Sequence, residues 1–284
     1  MRALALTATW PVPHVAAAAV LQDGSVTTRG PTDRPFRIAS VAKMLVGWTV
    51  LVAVEEGTVH LDQPAGQDGC TLRHLLAHAG GYGFIGSTPI TRPGIRRIYS
   101  NTGIELAAQA LADAAGMSYG DYQREAVLEP LGMHTTMLHG SPAYQVTSTV
   151  DDLVRFVGEL RSPRLISADS AAQYRTVQFP GLPGMVPGVG RYPDCQWGLA
   201  AEIRGSKQPH WTGSRNSPAT YGHFGGAGTL LWVDPGAHVA CLALTDRPFD
   251  EWSADALRYW PQLSNAVLAE VASGSANPVP GTPR

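Results

Sequence analysis

Ser40 and Lys43 lie three residues apart in Ser40-Val41-Ala42-Lys43, a spacing that puts two side chains on one face of a helix. A serine hydroxyl attacks an acyl carbon only when a base takes its proton. A lysine can be that base only where burial or a neighbouring positive charge keeps its amine uncharged. The residues after Ser40 are apolar nearly all round as far as Glu56, so this helix is expected to be central and to supply that burial. Composition sharpens the point, because Lys43 and Lys207 are the only lysines among 21 basic residues. Guanidinium keeps its proton, so in an arginine-using chain a lysine at position 43 marks a place where a proton has to move. The structural alternative is a helix-capping Ser40 with Lys43 reaching from a buried helix to solvent.

Two further groupings could complete such chemistry. Tyr99-Ser100-Asn101 precedes a helical stretch from Thr102 to Ala115; a phenol there could pass a proton to a leaving group while the carboxamide orients substrate and lysine. The alternative makes Ser100 or Asn101 the helix cap, with Thr102 and Glu105 as a capping box and Tyr99 as packing. Tyr221-Gly222-His223-Phe224-Gly225-Gly226-Ala227-Gly228 leads into an apolar run, Thr229 to Val233, and its glycines let backbone come close to a ligand. Acyl transfer needs two N–H groups for the oxyanion, and those of Ser40 and Gly226 would serve, with His223 expected to add positive potential. His74 and His78, four apart, lack the glutamate and the third ligand of a zinc site and are read as packing or hydrogen-bonding residues. G-x-S-x-G, Walker and dinucleotide signatures are missing from the sequence.

The elements that must position these groups follow from periodicity and turn residues. A β-hairpin is expected over Val15–Leu21 and Val26–Arg29 around Gln22-Asp23-Gly24-Ser25. Helices are expected at 40–56, 71–78, 102–115, 119–129 (stopped by Pro130) and 151–160. Strands follow at 197–203, 220–223, 229–233 and 239–245, then a helix from Pro261 to Ala272. Strands near both termini with helices between them imply an α/β (α+β) fold. One antiparallel sheet, built from both ends of the chain and flanked by helices, carries an inserted, mainly helical lobe. The expected organisation is a single domain over 1–273, with a sheet lobe of about 1–70 plus 195–273 and a helical lobe of about 71–194, then a disordered Ser-, Gly- and Pro-rich tail over 274–284.

The chain of 284 residues is 44% hydrophobic and carries a net charge of −2, which excludes global disorder and leaves no electrostatic footprint for nucleic acid or an anionic membrane. Three widely spaced cysteines without a C-x-x-C pair, and an N-terminus interrupted by Trp10, Pro11 and Pro13, point to reduced thiols and no export signal, hence a cytoplasmic protein. The longest apolar run, Met44 to Val54, is about half the ~20 residues of a membrane span.

Taken together, these segments resemble the penicillin-recognising serine hydrolases: class C β-lactamases, DD-peptidases and esterases of the same fold. Phe36 to Lys43 is similar to the nucleophile motif, Tyr99-Ser100-Asn101 to the second motif and His223-Phe224-Gly225 to the third. Glu55 to Asp62, Thr71 to His78 and Glu129 to Met133 match intervening segments, so the resemblance covers about residues 15–245. It implies Ser40 as the acylated nucleophile, Lys43 as its base partner, Tyr99 as acid/base and Asn101 as orienter. It places His223 where the family has Lys or His, and makes Gly226 the second oxyanion amide. Phe224 stands where a hydroxyl residue commonly helps hold a substrate carboxylate. The expected activity is therefore hydrolysis of small-molecule esters, with amides as a further class, through an acyl-serine and without metal or organic cofactor. β-Lactam or D-amino-acid peptide hydrolysis is the alternative, followed by a binding module without turnover; oligomeric state is not legible.

Overall fold

The computed structural model describes residues 1–275. A 3₁₀ segment, Ala3–Thr9, precedes the hairpin of β1 (Val15–Val20) and β2 (Val26–Arg29), whose turn uses Gly24 at φ 82°. The short β3 (Phe36–Arg37) leads through a 3₁₀ turn, Ala39–Val41, into α1 (Ala42–Glu55). The helical lobe then contains α2 (Leu72–Leu76), α3 (Asn101–Ala115), α4 (Tyr119–Gln123), a π-helical turn over Arg124–Leu128, and α5 (Glu129–Leu131). The short strands β4 (Met137–Leu138) and β5 (Val146–Ser148) are followed by α6 (Val150–Arg161) and α7 (Ala168–Tyr174). The chain closes with β6 (Gly184–Val186), β7 (Gly190–Tyr192), β8 (Glu202–Ile203), β9 (Tyr221–Gly225), β10 (Thr229–Asp234), β11 (Val239–Thr245) and α8 (Ser253–Ser275).

The main sheet has the order β2-β1-β11-β10-β9-β8, antiparallel throughout. N-terminal and C-terminal strands therefore share one sheet, as the distribution of strand-like runs implied. Both faces are covered. Alternate residues Ala16, Ala18, Leu231, Val233, Leu242 and Leu244 join the core that holds α1 and α6, whereas Ala17, Ala19, Leu230, Trp232, Cys241 and Ala243 pack with α8 and the N-terminal 3₁₀ segment. The alanines of β1 suit a strand sandwiched between two helical layers, because side chains on its two faces point oppositely and small ones admit close approach. Helix α1, apolar on every side, is buried along nearly its whole length, as such a helix must be.

Several elements differ from their sequence expectation. The stretch 197–203 is a strand only at Glu202–Ile203: the Leu199 and Ala200 N–H groups donate to the carbonyls of Tyr174 and Leu76 instead of to a strand partner, and Ala200 turns the chain at φ 65°. Helix α8 starts at Ser253, so Pro261 lies inside it and not at its head. Pro130 does not stop the preceding helical run. It lies within a continuous helical run, directly after the π-helical turn, and Gly132 at φ 71° ends the run. The tail expected after residue 273 is helical in backbone as far as Ser275, and 276–284 lie outside the described residues. Cys70, Cys195 and Cys241 are free and buried, and among the described residues no helix is long and apolar enough to cross a membrane.

Candidate active site

Ser40 sits in the 3₁₀ turn that precedes α1, one turn before Lys43 on the same side. Ala39 enters that turn at φ 46°, a conformation rarely adopted by a residue with a side chain, and its neighbours hold it there. The Ile38 N–H donates to the Val146 carbonyl at 3.0 Å, and the Thr229 hydroxyl donates to the Ile38 carbonyl at 3.0 Å. Gly225 of β9 packs directly on this segment: a Cβ there would lie 2.5 Å from the Ile38 oxygen and 3.1 Å from the Ala39 Cβ. Glycine at 225 is thus what lets β9 approach the nucleophile turn.

Lys43 is completely buried. Its Nζ lies 3.1 Å from Ser40 Oγ, 2.6 Å from Asn101 Oδ1 and 2.9 Å from the Ala143 carbonyl oxygen. Burial holds its pKa well below the ordinary value for lysine, with Glu105 opposing the shift. A neutral amine has two N–H bonds and one lone pair. Asn101 Oδ1 and the Ala143 carbonyl can only accept, so they use both N–H bonds and leave the lone pair for the Ser40 O–H. The snorkelling alternative is excluded, because the lysine points inward.

The Tyr99–Asn101 segment is pinned from four directions. The Ser100 hydroxyl caps α3 by accepting the Gly103 N–H at 2.9 Å and itself donates to the Gly83 carbonyl at 2.7 Å. The Ser100 N–H donates to His78 Nδ1 at 3.1 Å, and the Asn101 N–H donates to the Phe84 carbonyl at 3.0 Å. Of the capping alternatives, Ser100 is the cap; Glu105 takes no part and instead accepts from the Ser141 hydroxyl. His74 belongs to the capping box of α2 with Thr71, so both histidines hydrogen-bond as expected.

Tyr99 faces Ser40, whose hydroxyl partly offsets the effect of burial; burial dominates and raises the phenol well above the usual tyrosine range. The Lys43 Nζ lies 4.9 Å from the centre of the Tyr99 ring. Its hydroxyl is 3.4 Å from His223 Nε2. His223 Nδ1 lies 2.6 Å from the Phe224 carbonyl, which can only accept, so Nδ1 carries the proton and Nε2 presents a lone pair to Tyr99. Burial is the largest cause of a His223 pKa pushed down to about 3. The expectation that His223 adds positive potential is therefore corrected: the ring is neutral and acts as an acceptor.

The outer edge of β9 is open beside the site, because β8 pairs only with Tyr221 and Gly222. Gly226 follows that edge, a Cβ there would meet open space, and its N–H has no partner among the described residues. Two cavities meet at Ser40 and Gly226. One, of about 360 Å³, is walled by Phe84, Tyr99, Val186, Trp197, Phe224 and Phe249, with Glu202 and His223 at its floor. The other, of about 600 Å³, is bounded by Arg37, Ile85, Asn101, Tyr144 and Asp246. Of the sequence-nominated residues, Ser40, Tyr99, Asn101, His223 and Gly226 line these two cavities, whereas Lys43 lies buried beneath Ser40, and Gly225, expected to bind substrate, packs on the nucleophile turn instead. The Ala143 carbonyl, Trp197 and Glu202 were missed. A backbone oxygen leaves no trace in residue type, and the other two carry no motif and reach the site only through tertiary packing. Among the described residues no cluster of three or more His, Cys, Asp or Glu side chains is placed to hold a metal ion.

A family model described as Beta-lactamase matches residues 13–264. A crystal structure of a beta-lactamase from Mycobacterium bovis is 49% identical, with a TM-score of 0.92 over 95% of this chain and 99% of that one. EstCE1, a hydrolase with promiscuous acyltransferase activity, is 17% identical with a TM-score of 0.74, over 94% of this chain and 97% of its own. A variant of simvastatin synthase from Aspergillus terreus is 17% identical with a TM-score of 0.72, over 93% of this chain and 92% of its own. At that identity the last two are similar in fold alone. A comparison with curated proteins gives no match.

Proposed function

Because the chain belongs to the Beta-lactamase family, we propose that it is a serine hydrolase that cleaves carboxylic esters through an acyl-Ser40 intermediate. The observation that carries this reading is the buried Lys43 Nζ, which lies 3.1 Å from Ser40 Oγ and is held there by Asn101 Oδ1 at 2.6 Å and the Ala143 carbonyl at 2.9 Å. Lys43 takes the Ser40 proton as the hydroxyl oxygen attacks the ester carbonyl, and the Ser40 and Gly226 N–H groups hold the oxyanion. Tyr99, kept a phenol by burial, gives its proton to the departing alkoxide. The proton held on Lys43 then returns to the tyrosine oxygen. Water completes the cycle by the same route in reverse, with Lys43 and Tyr99 exchanging the proton it loses.

Ester over β-lactam chemistry is supported by Phe224 and by the cavity beside Tyr99, which has no Lys or Arg in its lining to hold a substrate carboxylate. The relative named as a beta-lactamase, at 49% identity, favours the second reading: hydrolysis of a β-lactam or a D-amino-acid peptide. The test is intact-mass detection of acyl-enzyme after exposure to p-nitrophenyl butyrate, nitrocefin and a D-Ala-D-Ala peptide, with Ser40→Ala as control. The expected result is a butyryl adduct on the wild type and none on Ser40→Ala, with ester turnover abolished in the variant. An adduct from nitrocefin or the peptide but not from the ester would select the second reading, and undiminished turnover by Ser40→Ala would reject the nucleophile.

A further inference from the structure

The two cavities that meet at Ser40 differ in chemistry and in which side of the scissile bond they can receive. During acylation the bond from Ser40 Oγ to the acyl carbon forms and the bond from that carbon to the alcohol oxygen breaks. The alkoxide takes its proton from the acid in the site. The alcohol must therefore leave on the side of the Tyr99 hydroxyl, and the acyl group must extend the other way. Tyr99 lines the smaller cavity and not the larger one, whereas Asn101 lines the larger and not the smaller. Ser40 and Gly226, the nucleophile and an oxyanion donor, border both.

The smaller cavity is an aromatic box. Phe224 packs on Phe249 and Trp260 with ring centres 5.2 and 5.6 Å apart, Phe84 stacks on Tyr99 at 5.9 Å, and Trp197 stands 5.7 Å from Tyr99. Its lining contains two carboxylates, Glu202 and Asp250, and no Lys or Arg. Glu202 is occupied from behind: Lys207 Nζ lies 3.1 Å from its Oε1, and Trp211 Nε1 donates to its Oε2 at 2.6 Å. An anionic alcohol would meet two carboxylates and no cationic side chain there, and a small polar one would leave the aromatic walls uncovered.

The geometry assigns this cavity as the subsite for the leaving alcohol and points to esters of bulky, uncharged, aryl-bearing alcohols as the substrate class, with the acyl group directed into the larger cavity beside Asn101. This rests on the ester-hydrolase reading and narrows it. Its test uses two ester series. The first keeps butyrate and varies the alcohol through ethanol, benzyl alcohol and 2-naphthylmethanol, which leave with similar acidity; the second keeps ethanol and lengthens the acyl chain. In the first series every substrate gives the same butyryl-enzyme, so alcohol recognition shows in kcat/KM.

The expected result is a kcat/KM at least about tenfold higher for the naphthylmethyl than for the ethyl ester, a ratio of the size that apolar pockets achieve. Phe224→Ala, which removes a wall, and Val186→Phe, which fills the cavity, should each bring that ratio below about threefold on the same reasoning, without changing the shape of the acyl-length profile. Either variant suffices for the test if the other does not fold. An alcohol ratio near one in the wild type, or an acyl profile that changes instead, would overturn the subsite assignment while a butyryl adduct on Ser40 keeps the hydrolase reading. Absence of the adduct with every ester overturns both.

Discussion

Lys43 gathers the site's electrostatics into one side chain. Its amine is buried with two acceptor-only partners, so protonation would add a charge to an apolar interior. As pH falls through its lowered pKa the base is lost, and kcat/KM should decline along one acid limb; His223, neutral down to about pH 3, adds none above that. Stability should move in the same direction. The unfolded chain keeps this lysine protonated up to its ordinary value of 10.5, whereas the folded chain sheds the proton at lower pH. Between the two, the unfolded state binds more protons and stability rises with pH. Urea titrations at stepped pH should show that rise in the wild type and its removal in Lys43→Met. Lys43→Arg, permanently protonated, should lose about 10²- to 10⁴-fold in kcat/KM.

At the scale of elements, the site depends on how closely β9 lies against the turn before α1. Gly225 permits that approach by having no side chain. Gly225→Ala would push its methyl against the Ile38 oxygen at 2.5 Å, moving either the oxyanion edge or Ser40. A displacement of about 1 Å costs on the order of 10²-fold in rate. The expected outcome is a fall of that order in kcat/KM for ester hydrolysis. Near-UV circular dichroism of the Tyr99, Trp197 and His223 group, whose ring centres lie within 5.7 Å of one another, should report the shift.

Across the whole molecule, both lysines prove to be interior residues. Lys207 lies beneath the aromatic cavity and pairs with the buried Glu202, whose carboxylate also accepts from Trp211 and lies 3.2 Å from His210 Nε2. Burial alone would raise the Glu202 pKa; Lys207 and His210, with hydrogen bonds from His210 and Trp211, reverse this and hold it below the usual carboxylate range. Lys207 Nζ also donates to the Gln196 and Ile203 carbonyls, tying the segment after β8 to the strand that edges the site. Removing one member of such a pair strands the other charge. Lys207→Met should lower unfolding free energy by about 3–5 kcal/mol in urea titration, and a Glu202→Gln/Lys207→Met double variant should regain a substantial part of it.

Residue type and spacing by themselves determined the helix that carries Ser40 and Lys43, the hairpin that opens the chain, the membership of both termini in one sheet and the residues that meet in the cleft. These depend on local periodicity and on side chains with distinctive chemistry, and both are written along the chain. Tertiary structure alone decided that His223 is neutral and that the Ala143 carbonyl takes one Lys43 N–H. It also decided that the residues before Glu202 hydrogen-bond to helix ends instead of a strand, that Pro261 lies within α8, and that an aromatic box faces Tyr99. Each of these depends on burial or on partners far away in sequence: water removed from a ring, or a carbonyl delivered by another loop. Such conditions come into being only when the chain packs against itself.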